Sequence, residues 1–171
     1  SYSGQIVVMT YPMIGNYGIA SGDYESRRIY LSGFVIKELS RVASNWRQER
    51  TLEDYLQAHD IPGIFGIDTR ALVRHLRDRG AMRAVIGAES NGVEALLERA
   101  KGSPEMSGLD LASQVTTDEP YQWDEPPVDF GRSEPWPSAS RKVVVIDFGV
   151  KRNILRSLVA MGCEAHVVPA G

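Results

Sequence analysis

The stretch KVVVIDFGVKRNILRSLVAMGCEAHVV, residues 142–168, decides the fold class of this chain. It begins with a continuous apolar run that ends in the carboxylate of Asp147, and an amphipathic helix pattern follows over 152–161. Gly162 stops that helix, and residues 164–168 form the next apolar strand. Strand, helix and strand in this order predict the opening βαβ unit of a parallel, doubly wound sheet. The fold class that we expect is therefore α/β.

The earlier part of the chain also alternates between strand and helix patterns. Apolar runs rich in β-branched and aromatic residues predict strands over 5–10, 28–37, 64–67 and 81–86. Amphipathic runs predict helices over 52–59, 69–79 and 93–101, with a helical turn and extended chain over 108–117. Thr51 and Asp68 are the expected N-caps of the first two helices, because their side chains can accept a hydrogen bond from the first turn. This part of the chain therefore also belongs to the α/β class.

A proline-rich stretch, residues 118–140, separates the two parts. Helix cannot continue through its prolines, which are Pro120, Pro126, Pro127, Pro135 and Pro137. We expect a linker whose aromatic residues pack on a neighbouring domain. The predicted organisation is an N-terminal domain over 1–123, a linker over 124–141 and the beginning of a second domain over 142–171. Because one βαβ unit cannot bury both faces of its sheet, we expect the chain to be an internal piece of a longer protein.

Composition excludes several classes of protein and of partner. Hydrophobic residues make up 43% and charged residues 24% of the 171 residues, and these values argue against a disordered chain. A net charge of −3 gives no electrostatic reason to bind nucleic acid or an anionic membrane. The single cysteine, Cys163, rules out an intramolecular disulfide and a cysteine-based zinc cluster, and it suits a reducing compartment. We therefore expect a cytoplasmic protein with neither nucleic-acid nor membrane partners.

Two segments are candidates for a functional site. Asp147 ends a predicted strand, and open α/β sheets bind ligands at the carboxyl ends of their strands. Its carboxylate either belongs to such a site or caps the helix that follows. The glycine-containing loop over 11–22 is either a plain connection or a segment that holds a site, since loops of this length are often functional.

The remaining reactive side chains indicate structural roles. Cys163 stands at the amino end of its strand, the edge opposite the usual ligand site, so we predict that it fills space in the core. The three histidines, which are His59, His75 and His166, have no metal-ligand spacing, and no metal site is predicted. An arginine-rich helix face is either solvated or binds phosphate or an acidic partner; its members are Arg70, Arg74, Arg77 and Arg79.

A series of short motifs along the chain resembles one family, the small, glutamine-hydrolysing subunit of carbamoyl-phosphate synthetase. In chain order the motifs are SYS at 1–3, TYP at 10–12, IGN at 14–16, DYES at 23–26, ASNWR at 43–47, GIDTR at 66–70, LRDRG at 76–80, DFG at 147–149 and KRNI at 151–154. The resemblance implies a swivelling β/β/α N-terminal domain, followed by the start of a flavodoxin-like class I glutamine amidotransferase domain. The predicted linker lies where this family has its domain boundary.

The resemblance also implies an activity and a partner. A cysteine thiolate of the family's protein attacks glutamine, and the released ammonia reaches a large synthetase subunit. That subunit uses ATP and Mg²⁺ to make carbamoyl phosphate for arginine and pyrimidine synthesis. The family's nucleophile lies in a G-x-C-x-G motif, with a later His and Glu, and residues 1–171 contain no such motif. We therefore expect no catalytic residue and no cofactor in this chain, and no glutaminase activity from it alone.

Two residues match glutamine-binding positions of the family. Ser1 matches a serine whose hydroxyl reaches the substrate, and Lys151 matches a lysine close to the same pocket. Two other interpretations stay open: a non-catalytic module that docks the synthetase subunit, and a free-standing flavodoxin-like binding domain. The latter is disfavoured because the sequence predicts only one βαβ unit.

Overall fold

The computed structural model describes residues 2–128 and 131–171. Their contacts divide into two compact units. The N-terminal unit comprises residues 2–21 and 30–109. The C-terminal unit comprises 22–29 together with the described residues from 110 onward. The short segment 22–29 therefore belongs to the C-terminal unit, although the chain on both sides of it belongs to the N-terminal one.

Two small parallel sheets form the strand part of the N-terminal unit. The first has the order β1 (Ile6–Val8), β3 (Gly33–Val35) and β5 (Gly63–Ile64), and all three strands are parallel. The second pairs β2 (Met13–Ile14) with β4 (Glu38–Leu39), also in parallel. The parallel pairing of these strands, together with the helices of the unit, confirms the α/β class. The swivelling β/β/α type of the N-terminal domain remains a prediction.

Three helices complete the N-terminal unit, close to their predicted limits. They are α1 (Leu52–Ala58), α2 (Thr69–Arg79) and α3 (Val93–Gly102). Both predicted N-caps are confirmed. Thr51 Oγ1 accepts a hydrogen bond from Asp54 N at 3.1 Å, and Asp68 Oδ1 accepts one from Ala71 N at 2.9 Å. Each cap satisfies one amide that the first helical turn leaves without a backbone partner.

Of the strands predicted in this unit, the one over 81–86 was wrong and the one over 28–37 was too long. Residues 81–86 form no strand, because Ile86 packs its side chain against the backbone of Gly33 in the central strand instead of pairing along a sheet edge. The strand predicted over 28–37 is limited to β3. Arg28 lies in the C-terminal unit, where its guanidinium donates to Gln114 O at 3.4 Å.

The C-terminal unit contains the predicted βαβ. After the short helix α4 (Ala112–Val115) come β6 (Tyr121–Trp123), β7 (Arg141–Asp147), α5 (Arg152–Ala160) and β8 (Cys163–Pro169). Strands β7 and β8 are parallel, as predicted, and the sheet order is β6-β8-β7. The flavodoxin-like type and the domain limits at 123 and 142 remain predictions.

Strand β6 corrects the expectation of a linker throughout 118–140. It pairs antiparallel with β8, with Tyr121 opposite Val167 and Trp123 opposite Ala165. The surrounding prolines do not prevent this, because Pro120 and Pro126 flank the strand and leave its own amides free to pair. An edge strand needs partners on one side only.

The core of the C-terminal unit lies between α5 and one face of its sheet. Leu155 of α5 and Ala165 and Val167 of β8 are fully buried. On the opposite face Val144 and Ile146 of β7 are exposed, because strand side chains alternate between the two faces. Among the described residues, one face of this sheet is therefore covered and the other is not.

None of the helices in residues 2–128 and 131–171 has both the length and the apolar character needed to cross a membrane.

Candidate functional site

The candidate site is the turn 147–151, which joins the carboxyl end of β7 to α5. Asp147 is 6% exposed, and its Oδ1 accepts hydrogen bonds from Gly149 N at 2.9 Å and from Val150 N at 2.8 Å. Gly149 has a φ of 85°, a conformation that side chains with a Cβ rarely adopt. The carboxylate therefore fixes the turn. The interpretation that Asp147 caps the helix that follows was wrong: its carboxylate binds amides within the turn, and α5 begins only at Arg152.

Lys151 is the last residue of this turn and is exposed at the N-cap position of α5. Its backbone is extended, with φ −74° and ψ 132°, and no side chain at this position caps the helix. The structure thus places the predicted glutamine-binding lysine at the carboxyl end of β7, the edge at which open α/β sheets bind ligands. Ser1, the other predicted binding residue, lies outside the described residues.

The first turn of α5 receives its cap from Glu25. The backbone carbonyl of Glu25 accepts from Arg152 N at 3.0 Å, and its side-chain Oε2 accepts from Asn153 N at 3.1 Å. The other oxygen, Oε1, lies 3.8 Å from the guanidinium of Arg156. Sequence reasoning missed Glu25. The available signal was the lysine at a position where Ser, Thr, Asp or Asn normally caps a helix.

A tyrosine and several charges surround the same strand end. Burial raises the pKa of the Tyr121 hydroxyl, and the carboxylate of Asp147 raises it further. The guanidinium groups of Arg152 and Arg27 act on this pKa in the opposite direction. Burial and the Asp147 carboxylate outweigh the two guanidinium groups, so the pKa of Tyr121 lies above its ordinary value.

Cys163 lies where the sequence placed it. It is buried at the amino end of β8, and its register partner on β7 is Arg141. Asp147 pairs in the same ladder with Pro169, at the other end of the two strands. The thiol and the candidate site are therefore at opposite edges of the sheet, and the predicted packing role of Cys163 is consistent with its position.

The histidines and the arginine face do not add a second site. His59 contacts Tyr55 ring to ring at 4.7 Å, and the Nε2 of His166 lies 2.9 Å from Glu164 Oε1. Within residues 2–128 and 131–171, no three His, Cys, Asp or Glu side chains are grouped to hold a metal ion. The arginine face on α2 is exposed, as the solvated interpretation requires, and its phosphate-binding alternative stays open.

Comparison with known proteins gives the family. A model of the carbamoyl-phosphate synthase small chain, CPSase domain, matches residues 1–86. Curated carbamoyl phosphate synthase small chains are similar over 99% of this chain. The protein of Syntrophotalea carbinolica is 53% identical and that of a Synechococcus species 50%, and the matches cover 46% and 44% of those proteins. The small chain of Chlorobaculum tepidum is 47% identical, with 43% of it covered. The chain thus spans less than half of the length of these relatives, and it belongs to the carbamoyl-phosphate synthase small chain family.

Proposed function

We propose that the protein containing this chain is the glutaminase subunit of carbamoyl-phosphate synthase and supplies ammonia to a large synthetase chain. The observation that carries the proposal is family membership, together with identity of 45–53% to curated small chains. The placement of Lys151 at the carboxyl end of β7 supports it independently, because that edge is where a substrate would bind.

The proposed reaction is an acyl transfer from the side-chain amide of glutamine. A thiolate attacks the amide carbon, the tetrahedral intermediate expels ammonia, and water hydrolyses the thioester to glutamate and free thiol. The thiolate of this proposal is not Cys163, which is buried at the wrong edge of the sheet. Residues of this chain bind substrate: the Lys151 ammonium can pair with the glutamine carboxylate, and the Ser1 hydroxyl can donate or accept one hydrogen bond.

The partner and its chemistry belong to the same proposal. A large synthetase chain would receive the ammonia and combine it with bicarbonate, using ATP and Mg²⁺ that it binds itself. No cofactor is assigned to the present chain. The pathway roles, arginine and pyrimidine synthesis, and the cytoplasmic location follow from the resemblance and from the cysteine usage, and they remain part of the proposal.

The test compares two nitrogen sources in the assembled enzyme. The full-length small chain is co-purified with its large chain, and carbamoyl phosphate is measured with glutamine and, separately, with ammonia. Lys151→Met should lower glutamine-dependent kcat/KM by about 10-fold or more, the cost of one lost hydrogen bond to a charged group, and should leave the ammonia reaction within about twofold. Lys101→Met, at an exposed lysine on α3, is the matched control. Absence of glutamine-dependent synthesis in the wild-type assembly would refute the proposed function.

A docking role for the N-terminal unit is the second candidate, and one observation favours it. The carboxyl ends of β1, β3 and β5 meet at one edge of their sheet, since the strands are parallel. Large apolar side chains that follow β1 and β5 in the chain are exposed; Tyr11 is 69% and Phe65 is 64% exposed. Large exposed apolar side chains mark protein interfaces when they form one patch.

The docking role is tested by binding and not by turnover. Phe65→Asp should weaken association with the large chain by about 10-fold or more, because the substitution of a residue that anchors an interface typically costs more than about 1 kcal/mol of binding free energy. Leu97→Asp is the matched control, because Leu97 is also half exposed but lies on α3. Equal affinities of wild type and Phe65→Asp in sedimentation experiments would exclude this edge as the docking surface.

A further inference from the structure

Helix α5 has no cap of its own at the position where the chain enters it. Lys151 occupies the N-cap position, and its side chain accepts no hydrogen bond from the first turn. The amides at the start of a helix carry a partial positive charge, so a positively charged neighbour is unfavourable there and a carboxylate is favourable. A carboxylate from elsewhere in the chain would therefore stabilise the start of this helix.

Glu25 provides that carboxylate from a distance of 128 residues along the chain. Its two side-chain oxygens have different partners: Oε2 accepts from Asn153 N at 3.1 Å, and Oε1 lies 3.8 Å from Arg156. The Arg156 side chain is only 8% exposed, so the loss of this partner would leave a buried positive charge with fewer compensating contacts. Glu25 thus contacts both the first and the second turn of α5.

Further contacts hold the segment around Glu25 in place. Arg156 also donates to Tyr24 O at 3.3 Å, and Arg27 donates to Thr116 O at 2.6 Å and lies 3.6 Å from Asp118. All of these residues belong to the C-terminal unit. The carboxylate is consequently presented to α5 by a segment that is anchored on both sides of it, which reduces the entropy lost when the cap forms.

We propose that Glu25 is a positioning residue for the glutamine site: by capping α5 it holds the turn 147–151, and with it Lys151, where the substrate binds. This proposal rests on the proposed glutaminase function. Glu25 can affect the position of Lys151 because Lys151 directly precedes the two residues, Arg152 and Asn153, whose amides Glu25 binds. When the cap is removed, the first turn of α5 frays and Lys151 samples several positions, so fewer molecules hold its ammonium where glutamine needs it.

Two measurements on the full-length small chain test this inference. Hydrogen exchange of the Asn153 amide reports the cap directly, and Glu25→Ala should accelerate it by about 2- to 30-fold, the range for loss of a helix cap. In the assembly with the large chain, the same variant should raise KM for glutamine by a similar factor and leave kcat with ammonia within about twofold, because ammonia bypasses the glutamine site. Glu105→Ala, at another exposed glutamate, is the control.

Glu25→Gln keeps an oxygen for the Asn153 amide but removes the charge that faces Arg156. We expect changes in the same direction and of smaller size, both in exchange and in KM. If Glu25→Ala does not fold, this second variant decides: an unchanged KM would make Glu25 a folding residue only and would overturn the positioning role.

The outcomes separate this inference from the function on which it rests. Faster exchange with an unchanged KM overturns the positioning role, and unchanged exchange overturns the cap itself. Equal losses with glutamine and ammonia indicate a general folding defect and also overturn it. A wild-type assembly without glutamine-dependent synthesis refutes the glutaminase function and with it the role of Glu25 there, while the exchange data still decide whether the cap exists.

Discussion

Removal of the Asp147 carboxylate is expected to destabilise the turn 147–151. In Asp147→Ala, the amides of Gly149 and Val150 lose acceptors that lie 2.9 and 2.8 Å away. A hydrogen bond to a charged group contributes about 1.5–3 kcal/mol, and the lower value applies to each bond here because one oxygen accepts both. The expected loss is therefore about 3 kcal/mol.

Asp147→Asn provides the matched control for this prediction. The amide oxygen of asparagine can accept from the same two N–H groups, so the geometry is kept and only the charge is lost. We expect a cost of about 1 kcal/mol, the difference between charged and neutral hydrogen bonds. Both variants should also lower the pKa of Tyr121, because the negative charge that raises it is gone, although the larger effect of burial remains.

Urea unfolding of the full-length chain measures the loss in stability, and an NMR titration that resolves the ring signals of Tyr121 measures its pKa. A free energy of unfolding in Asp147→Ala within about 0.5 kcal/mol of wild type, the range of ordinary surface substitutions, would refute the turn as the source of stability. Equal losses in the Ala and Asn variants would assign the effect to charge and not to the two hydrogen bonds.

Three further predictions concern other parts of the chain. Hydrogen bonds from the Ser21 hydroxyl and, to a smaller extent, from the Ser21 amide hold the pKa of Glu49 below its ordinary value. The stability that these bonds contribute is complete above the ordinary pKa of a glutamate and is lost as the pH falls through the lowered pKa. Ser21→Ala should raise the pKa of Glu49 in an NMR titration. Cys163→Ser should leave glutamine turnover within a few-fold of wild type and cost about 1–2 kcal/mol in urea unfolding, since it places a polar atom in an apolar site. Ser1→Ala should lower kcat/KM for glutamine by about 10- to 150-fold without affecting synthesis from ammonia; equal losses with both would indicate misfolding.

Local sequence signals predicted the parts of the fold that depend on local interactions. The βαβ unit over 141–169 and the helices that begin after Thr51 and Asp68 were predicted correctly, because hydrophobic periodicity and capping residues act within a few positions. Strand β6 was missed because its structure comes from pairing with β8, more than forty residues later. The strand predicted over 81–86 did not form because an apolar run can equally pack over a sheet, as Ile86 does on Gly33.

The continuous apolar run of β7 predicts a strand that is buried on both faces, whereas in the described structure only one face is covered. Such runs are typical of strands buried on both sides, whereas a half-exposed strand alternates between apolar and polar residues. The side chains of Val143 and Val145 face the same side as the buried Ala165 and Val167, while Val144 and Ile146 are exposed. The sequence of β7 is thus typical of a strand with packed elements on both faces. Within the described residues, α5 packs on one of these faces.

Placement of the candidate site shows where sequence reasoning reaches its limit. The strand-end position of Lys151 was predictable, since it follows from a strand that stops at Asp147 and a helix that begins at Arg152. What holds that position was not, because Glu25 is distant in sequence and nothing in its own surroundings indicates a cap. The sequence does show that α5 lacks a capping side chain of its own, because Lys151 stands at the N-cap position and Arg152 adds a second positive charge. A carboxylate from elsewhere in the chain stabilises a helix that begins with two positive side chains, but the sequence does not indicate which acidic residue provides it.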